Sequence, residues 1–254
     1  MDITQHLPPG RTPLIESRFQ FQCHSGVSCF LTCCRNVDML LFPYDIILLK
    51  QALKLSTSEV LKKYTVICEG SHPFFPGLKL ALRNNEQRDC PFLAKIGCSI
   101  YTHRPSACRT YPLERGLERP AKGKALKVHY FMTHHPYCLG HTQNHEYTLK
   151  QWEREQGLDE CNYYNELWAE LDALFASNPW EGEGFAGPRQ KMAFMVCYDL
   201  DRFRQYVEDH QLLQAFQLDK QRRRRIQAED GALLHFGFDW LFFLWSEQKR
   251  LRRK

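Results

Sequence analysis

The sequence lacks any run of about 18 or more uncharged apolar residues, so it predicts no transmembrane helix. The segment Met1–Pro13 has neither the basic part nor the apolar part of a secretory signal peptide. Also absent are a G-x-x-x-x-G-K-[ST] phosphate loop, an H-E-x-x-H zinc-protease helix and a G-x-S-x-G nucleophile elbow. We therefore expect a cytoplasmic protein outside the P-loop and common hydrolase classes.

Concentrated positive charge is also scarce. The 34 basic and 29 acidic residues leave a formal net charge of only +5 on 254 residues. Two basic runs, Arg222–Arg225 and Lys249–Lys254, lie near the carboxyl end, and no aromatic residues alternate with the first run as single-strand binding requires. We interpret the arginine run as solvated surface and expect no nucleic-acid partner.

Cysteine, by contrast, is abundant, with 11 residues in the chain. The 43% share of hydrophobic residues and the 13% share of aromatics are typical of a folded globular protein that needs no disulfides to build its core. In a reducing compartment, clustered cysteines serve more often as metal ligands or redox groups than as disulfides. The cysteines are therefore the main indication of function.

Eight of these cysteines lie in two clusters followed by one later residue. The first cluster has the spacing C-x5-C-x3-C-C, and the second has intervals of seven and nine residues. Soft thiolates favour zinc or iron, including an iron-sulfur cluster, over magnesium or calcium. The predicted metal ligands are Cys23, Cys29, Cys33, Cys34, Cys90, Cys98, Cys108 and Cys138.

The adjacent pair Cys33 and Cys34 bears on the number of metal ions. Neighbouring side chains usually diverge, so the pair favours two sites, or one thiolate on the metal with its neighbour behind it. The remaining cysteines stand alone or on apolar helical faces, where free cysteine is commonly a small buried apolar residue. We expect no metal at these positions, which are Cys68, Cys161 and Cys197.

The sequence predicts an α+β fold. Its first part is a loop-rich cysteine-cluster metal-binding core with short strands and two helices, and a helical extension follows. The core helices are predicted from Pro43 to about Leu53, and from the capping box of Ser56 and Glu59 to about Tyr64. The predicted domains are a cysteine-cluster metal-binding domain over residues 14–147 and a helical extension over 148–254 packed against it.

The helical extension has its own start and stop signals. Thr148 and Gln151 form another capping box, and Gly157 is typical of a helix end. Helices are predicted to resume around Lys191–His210 and Gly231–Lys249. Within the first domain, Arg115–Lys124 is predicted to be an exposed connection.

A long motif contains the last two cysteines of the second cluster. Cys90-Pro91-Phe92-Leu93 precedes Cys98–Pro112, which reads C-x-I-Y-x-x-R-P-x-x-C-R-x-Y-P. With the first cluster and Pro43-Tyr44-Asp45-Ile46, this order resembles the YkgJ-type cysteine-cluster family, also called the CxxCxxCC domain, a zinc- or iron-chelating domain. The spacing of the first cluster departs from the one in that name. Of its cysteines, Cys23 departs most from the family pattern. The resemblance covers about residues 19–141 and implies a metal site.

Charged residues in the motif have two interpretations. Arg104 and Arg109 either stabilise nearby thiolates by reducing their mutual repulsion, or form ion pairs with carboxylates such as Asp89 and Asp38. Tyr101 and Tyr111 are expected to shield the thiolates from water. Four histidines in or beside the motif make a mixed cysteine-histidine site an alternative, with the pair before Cys138 as its best candidates. The four histidines are His103, His134, His135 and His141, and the pair before Cys138 is His134 and His135.

Three functions compete at this stage. The first is a metal-binding protein whose thiolates hold zinc or an iron-sulfur centre as a structural or chelating site. The second is a metal-dependent redox or protein-modifying enzyme, because flagellin lysine-N-methylases carry a similar cysteine cluster. The third is an interaction module whose helical half binds a protein partner while the metal folds the other half.

Overall fold

The computed structural model describes residues 9–118, 127–184 and 186–254 and confirms the α+β prediction. The helices are α1 (Pro43–Leu53), α2 (Thr57–Tyr64), α3 (Ser106–Thr110), α4 (Leu149–Gln156), α5 (Leu158–Ala176), α6 (Pro188–Tyr198), α7 (Leu200–Asp209), α8 (Lys220–Ala228) and α9 (Asp230–Trp245). The strands are β1 (Arg11–Pro13), β2 (Arg18–Gln20), β3 (Leu40–Leu41), β4 (Thr65–Cys68), β5 (Gly77–Leu80), β6 (Leu93–Ala94), β7 (Gly97–Cys98), β8 (Leu113–Glu118), β9 (Lys127–Thr133) and β10 (Glu146–Thr148). Within the described ranges, no helix is both long enough and apolar enough to cross a membrane.

The chain folds as two compact units that interleave along the sequence. The first contains the chain up to Asp38 together with Leu82–Asn162, and the second contains Met39–Ala81 together with Tyr163–Lys254. The predicted domain boundary near residue 147 falls inside the first unit, because α4 belongs with the cysteine-rich segments. The helices α1 and α2, expected within the cysteine-rich part, belong to the second unit.

The first unit is built on antiparallel strands. Strands β1, β9 and β8 form one sheet in that order, β2 pairs with β10, and β6 pairs with β7. An apolar cluster lies between the strands and helix α4, where the indole N–H of Trp152 donates to the carbonyl of Thr110 at 3.1 Å. Its buried members are Phe19, Phe21, Leu113, Met132, Trp152 and Leu158.

The second unit is helical around a small antiparallel sheet of order β3-β5-β4. Helix α9 contacts α1, α6, α7 and α8, and its apolar residues are buried all around its axis, with fully buried Leu234, Phe236 and Leu241. The close approach of α9 to its neighbours needs Gly237, because a Cβ there would lie 2.6 Å from Val196. This helix is therefore the centre of the second core.

The stretch Lys191–His210 is helical, as the sequence predicts. The structure has two helices, α6 and α7, that meet at Asp199. The carboxylate of Asp199 accepts hydrogen bonds from the hydroxyls of Thr57 and Ser58, each at 2.8 Å at its shortest. These non-local bonds hold Asp199 out of helical geometry, and no local sequence pattern reports them.

Local capping signals were more reliable guides. The capping boxes of Ser56 with Glu59 and of Thr148 with Gln151 are both present, at the starts of α2 and α4. Gly157 ends α4 in the left-handed conformation, φ 61°. The predicted connection Arg115–Lys124 begins within β8, and its residues 119–124 lie outside the described residues.

The loop before α6 contains glycines at the G-x-G-x-x-G spacing, namely Gly182, Gly184 and Gly187. In dinucleotide-binding folds this fingerprint joins a strand to a helix, so that the helix N-terminus receives the pyrophosphate. Here the preceding element is helix α5, not a strand. The spacing therefore carries no dinucleotide-binding inference.

Candidate metal centre

The first cysteine segment follows strand β2 into a series of tight turns. Leu31 takes a left-handed conformation, φ 68°, and a 3-10 turn over Thr32–Cys34 follows it. The turn presents Cys33 toward solvent and leaves Cys34 half-buried. Loop geometry, not a regular element, therefore positions these two thiols.

Main-chain bonds join the first cysteine segment to the second. The N–H of Cys90 donates to the carbonyl of Cys34 at 2.8 Å, and the N–H of Asn36 donates to the carbonyl of Arg88 at 3.0 Å. Between them, Arg35 forms a bridge and an ion pair with Asp89, with Nε 3.3 Å from Oδ1. We call this set of contacts, over residues 34–36 and 88–90, the loop junction.

Beyond the loop junction, two short elements carry the remaining cysteines of the second cluster. The hairpin of β6 and β7 ends at Cys98, and the short helix α3 carries Cys108. Arg109 holds the approach to α3 in place, because its side chain donates to the carbonyls of Thr102, Arg104 and Gln156. The guanidinium of Arg109 is thus hydrogen-bonded to main-chain oxygens.

The third segment, which carries Cys138, contacts the first cluster at the next residue, Leu139. The N–H of Leu139 donates to Sγ of Cys29 at 3.2 Å, across more than a hundred positions of sequence. Such an N–H bond stabilises a thiolate more than a neutral thiol, because the acceptor is then charged. All three cysteine-bearing segments are therefore in contact within the first unit, and none of the 11 cysteines forms a disulfide.

The vicinal pair has an asymmetric protonation pattern. A hydrogen bond from the Cys34 thiol lowers the pKa of Cys33 to about 7, against the effect of burial, and the positive charge of Arg104 lowers it further. The same hydrogen bond, with burial, raises the pKa of Cys34. Of this pair, Cys33 therefore ionises first. The thiolate is the form that binds a metal.

Other thiols in the cluster affect each other electrostatically. Cys108 has accessible surface, but the protein atoms around it remove part of its hydration. This desolvation is the largest cause that raises its pKa to about 12, and the neighbouring Cys90, Cys33 and Cys98 raise it further. Burial and then the neighbouring Cys33, Cys138 and Cys29 raise the pKa of Cys23 to about 11. Cys23 is thus within the electrostatic neighbourhood of the cluster.

Arg104 is the cation of this neighbourhood. Its charge lowers the pKa values of Cys23, Cys33 and Cys108. Its guanidinium lies 3.9 Å from the ring centre of Tyr101 and donates to Gln156. Of the two interpretations of the motif arginines, the contacts favour thiolate stabilisation for Arg104, because Asp89 pairs with Arg35 instead.

Aromatic rings border the cluster on the side of Cys138. Burial, and then the Cys138 thiol, raises the pKa of Tyr111, so this phenol is close to a thiol as the motif predicts. Tyr101 instead is 58% exposed and covers Arg104. His135 stacks between Tyr111 and Tyr137, with ring-centre distances of 5.8 and 5.1 Å. This stack was missed in the sequence, because ring stacking between distant residues leaves no local pattern.

The donor set fits a thiophilic metal by its chemistry. It offers several free thiols, one of them with a pKa of about 7, an adjacent guanidinium and an N–H donor to sulfur. Within the described ranges, no three His, Cys, Asp or Glu side chains already stand at the spacing of a coordination shell. Bringing the sulfurs to about 2.3 Å from a zinc ion therefore requires side-chain rotation in the loops.

The three isolated cysteines lie elsewhere. Cys197 is completely buried on α6, where burial raises its pKa well above the ordinary value. Cys161 is buried on α5, and Cys68 is half-buried on β4. The buried pair has the environment of small apolar core residues, as expected from the sequence.

One segment of the sequence matches a protein-family model. Residues 22–139 match the CxxCxxCC model, described as "Putative zinc- or iron-chelating domain". This match covers slightly less than half of the chain, and it supports metal binding in general. Neither a curated protein nor a solved structure matches the chain.

Proposed function

We propose that the chain binds zinc or iron, including an iron-sulfur centre, through clustered cysteine thiolates in the reducing cytoplasm, as a structural or chelating site. The proposed ligands are Cys23, Cys29, Cys33, Cys34, Cys90, Cys98, Cys108 and Cys138. The observation that carries the proposal is the contact between cysteine-bearing loops that are far apart in sequence. The N–H of Cys90 donates to the carbonyl of Cys34, and the N–H of Leu139 donates to Sγ of Cys29.

Crowded thiols of this kind resist ionisation in the absence of a counter-charge. A divalent cation supplies that charge, replaces the thiol protons and makes binding dependent on pH. Arg104 supplies part of the positive charge beforehand, and the Leu139 N–H supplies a fixed dipole at Cys29. The metal would hold three loop segments together, which is a structural contribution, and the solvent-facing Cys33 would allow metal exchange.

The test is anaerobic purification of the full chain, followed by elemental analysis and a visible absorption spectrum. Zinc gives a colourless protein, whereas an iron-sulfur centre gives a brown one. The double variant Cys33→Ser, Cys98→Ser should lose most of the metal. The matched control is the triple variant Cys68→Ser, Cys161→Ser, Cys197→Ser, which should retain the wild-type metal content while losing packing stability. Equal metal in wild type and the double variant would refute the proposal.

A further inference from the structure

A second cluster of reactive side chains lies in the second unit, on helices α5 and α9. The phenol oxygen of Tyr163 lies 3.0 Å from Nδ1 of His235, and Nε2 of the same ring lies 3.7 Å from Oδ2 of Asp239. His235 and Asp239 are one helical turn apart on α9. The phenol is accessible, since Tyr163 is 46% exposed, whereas Asp239 is buried.

The surrounding charges set the tautomer of His235. Asp239 is held beside Arg222, with Nη2 2.7 Å from Oδ2, and therefore presents a carboxylate to the imidazole. At 3.7 Å the carboxylate acts on Nε2 through its charge and favours the tautomer with its hydrogen on Nε2. The lone pair of Nδ1 is then free to accept the hydrogen of the Tyr163 phenol. Tyr163, His235 and Asp239 are therefore arranged as a nucleophile, its base and the carboxylate that orients the base.

The protonation states suit this order. Burial lowers the pKa of His235. Asp239 raises it and Arg222, Arg250 and Arg225 lower it, so that the net shift is downward. Burial and Asp239 raise the pKa of Tyr163, while Arg222 and Arg225 lower it. At neutral pH the imidazole is therefore a free base and the phenol is protonated, so the phenol needs this base to become a nucleophile.

Guanidinium groups define the charge of a suitable substrate. Arg222 and Arg225 lie on α8 close enough to Tyr163 to lower its pKa. Arg222 uses Nη2 on Asp239, and Arg225 uses Nε and Nη2 on Glu229, so each retains N–H donors for another acceptor. Guanidinium donors match phosphoryl oxygens in geometry and charge.

We propose that Tyr163 is a nucleophile toward phosphodiesters, with His235 as its general base and Asp239 as the group that orients the base. In the step, the Tyr163 oxygen forms a bond to phosphorus, the bond from phosphorus to the leaving alkoxide or phenolate breaks, and the phenol proton moves to Nδ1 of His235. Arg222 and Arg225 stabilise the phosphoryl oxygens as charge develops. No oxidant, reductant or further reactant is needed.

The probe is bis(p-nitrophenyl) phosphate, added to the full chain. We expect release of one p-nitrophenolate per chain and a p-nitrophenylphosphoryl adduct on the peptide that contains Tyr163. Tyr163→Phe should abolish both signals, and His235→Gln should slow them at least about a hundredfold, the lower range for a general base. The matched control is Tyr206→Phe. His210 stacks on the ring of Tyr206, but its Nδ1 lies 3.0 Å from the main-chain oxygen of Tyr206, so this pair differs from Tyr163 and His235. This variant should react like wild type.

A pH profile of the wild-type chain gives a second measurement that does not depend on the folding of a variant. The groups facing His235 are Tyr163 from α5, Asp239 from its own helix, Arg222 and Arg225 from α8, and Arg250. The rate should fall as pH drops below the ordinary histidine value of about 6.5, where the base becomes protonated. Release of p-nitrophenolate without the Tyr163 adduct, equal labelling of Tyr206, or a rate independent of His235 would overturn the proposal.

Discussion

The N–H of Cys90 donates to the carbonyl of Cys34 at 2.8 Å, so two predicted metal ligands from distant loops are joined main chain to main chain. With the ion pair of Arg35 and Asp89, this hydrogen bond forms the loop junction that brings the two cysteine clusters to the same place. We therefore expect contacts behind the predicted ligands to contribute to metal affinity.

The first prediction concerns Asp89. Its carboxylate contacts Arg35 and accepts from the Asn85 amide at 2.9 Å, so Asp89→Ala should loosen the loop junction. We expect about tenfold weaker metal retention, the lower range for removing a group that orients ligands. Titration with a competing chelator measures the change. Glu86→Ala, an exposed change in the same turn, is the control and should retain metal as wild type does. Wild-type retention in Asp89→Ala would contradict the prediction.

The second prediction couples metal to local order. The stretch Asp89–Pro112 is short of regular structure, so removal of the metal should expose it to trypsin at Arg109. We expect cleavage there at least about tenfold faster after chelation, before any cleavage at Lys191 or Arg202 in the second unit. Limited proteolysis with and without a strong chelator, followed by mass spectrometry, measures the order. An unchanged digest after verified metal loss would show that the centre does not order these loops.

The third prediction concerns the pH dependence of the second unit. Burial raises the pKa of Asp201, but hydrogen bonds from Lys50 and from Thr57 prevail and lower it. Because the folded pKa is below the unfolded value of about 3.9, this carboxylate stabilises the fold above that pH and loses its effect as pH falls through the folded pKa.

Asp201→Asn should therefore cost about 1–2 kcal/mol of unfolding free energy at pH 6, and the gap to wild type should narrow below about pH 4. Urea unfolding at pH 6, 4 and 3 with equal metal content measures this gap. Asp209→Asn, an exposed change on the same helix, should stay within about 0.5 kcal/mol of wild type at each pH. A gap that grows toward acid would reverse the assignment.

The fourth prediction tests the core around α9. A Cβ at Gly237 would lie 2.6 Å from Val196 and 2.9 Å from Phe203, so Gly237→Ala should destabilise the second unit by about 1–3 kcal/mol through overpacking. At Gly184 the added methyl group meets open space, and Gly184→Ala should leave the melting temperature nearly unchanged. Thermal unfolding of both variants measures the contrast. A Gly237→Ala variant as stable as wild type would show that the neighbours of α9 can move apart.

Local features of this fold could be predicted from sequence. The capping boxes of Ser56 and Thr148 and the left-handed end at Gly157 depend on residues a few positions apart, and the structure confirms all three. The partners of α1 could not be predicted. Its residues Ile46 and Ile47 are both buried, so the helix has no polar face that would indicate which side meets a neighbour.

The candidate site shows the same division. Thiol chemistry and the motif from Cys98 to Pro112 pointed to metal ligands, because residue type and spacing carry that information. The bond from Leu139 to Cys29 and the pair of Arg35 with Asp89 depend on chain segments far apart in sequence. No local pattern reports such contacts, and the ligand set itself stays a prediction.

The interleaved order of the two units has a consequence for synthesis on the ribosome. Segment Met39–Ala81, with its buried apolar helix α1, is made well before the residues from Tyr163 onward that share its unit. At about 5–20 residues per second, roughly 4–16 seconds separate the synthesis of Ala81 from that of Tyr163. Synthesis of the first unit is completed at Asn162, at the end of that interval, while α1 still lacks its final partners. This nascent segment is where we expect a chaperone to bind while the chain is being translated.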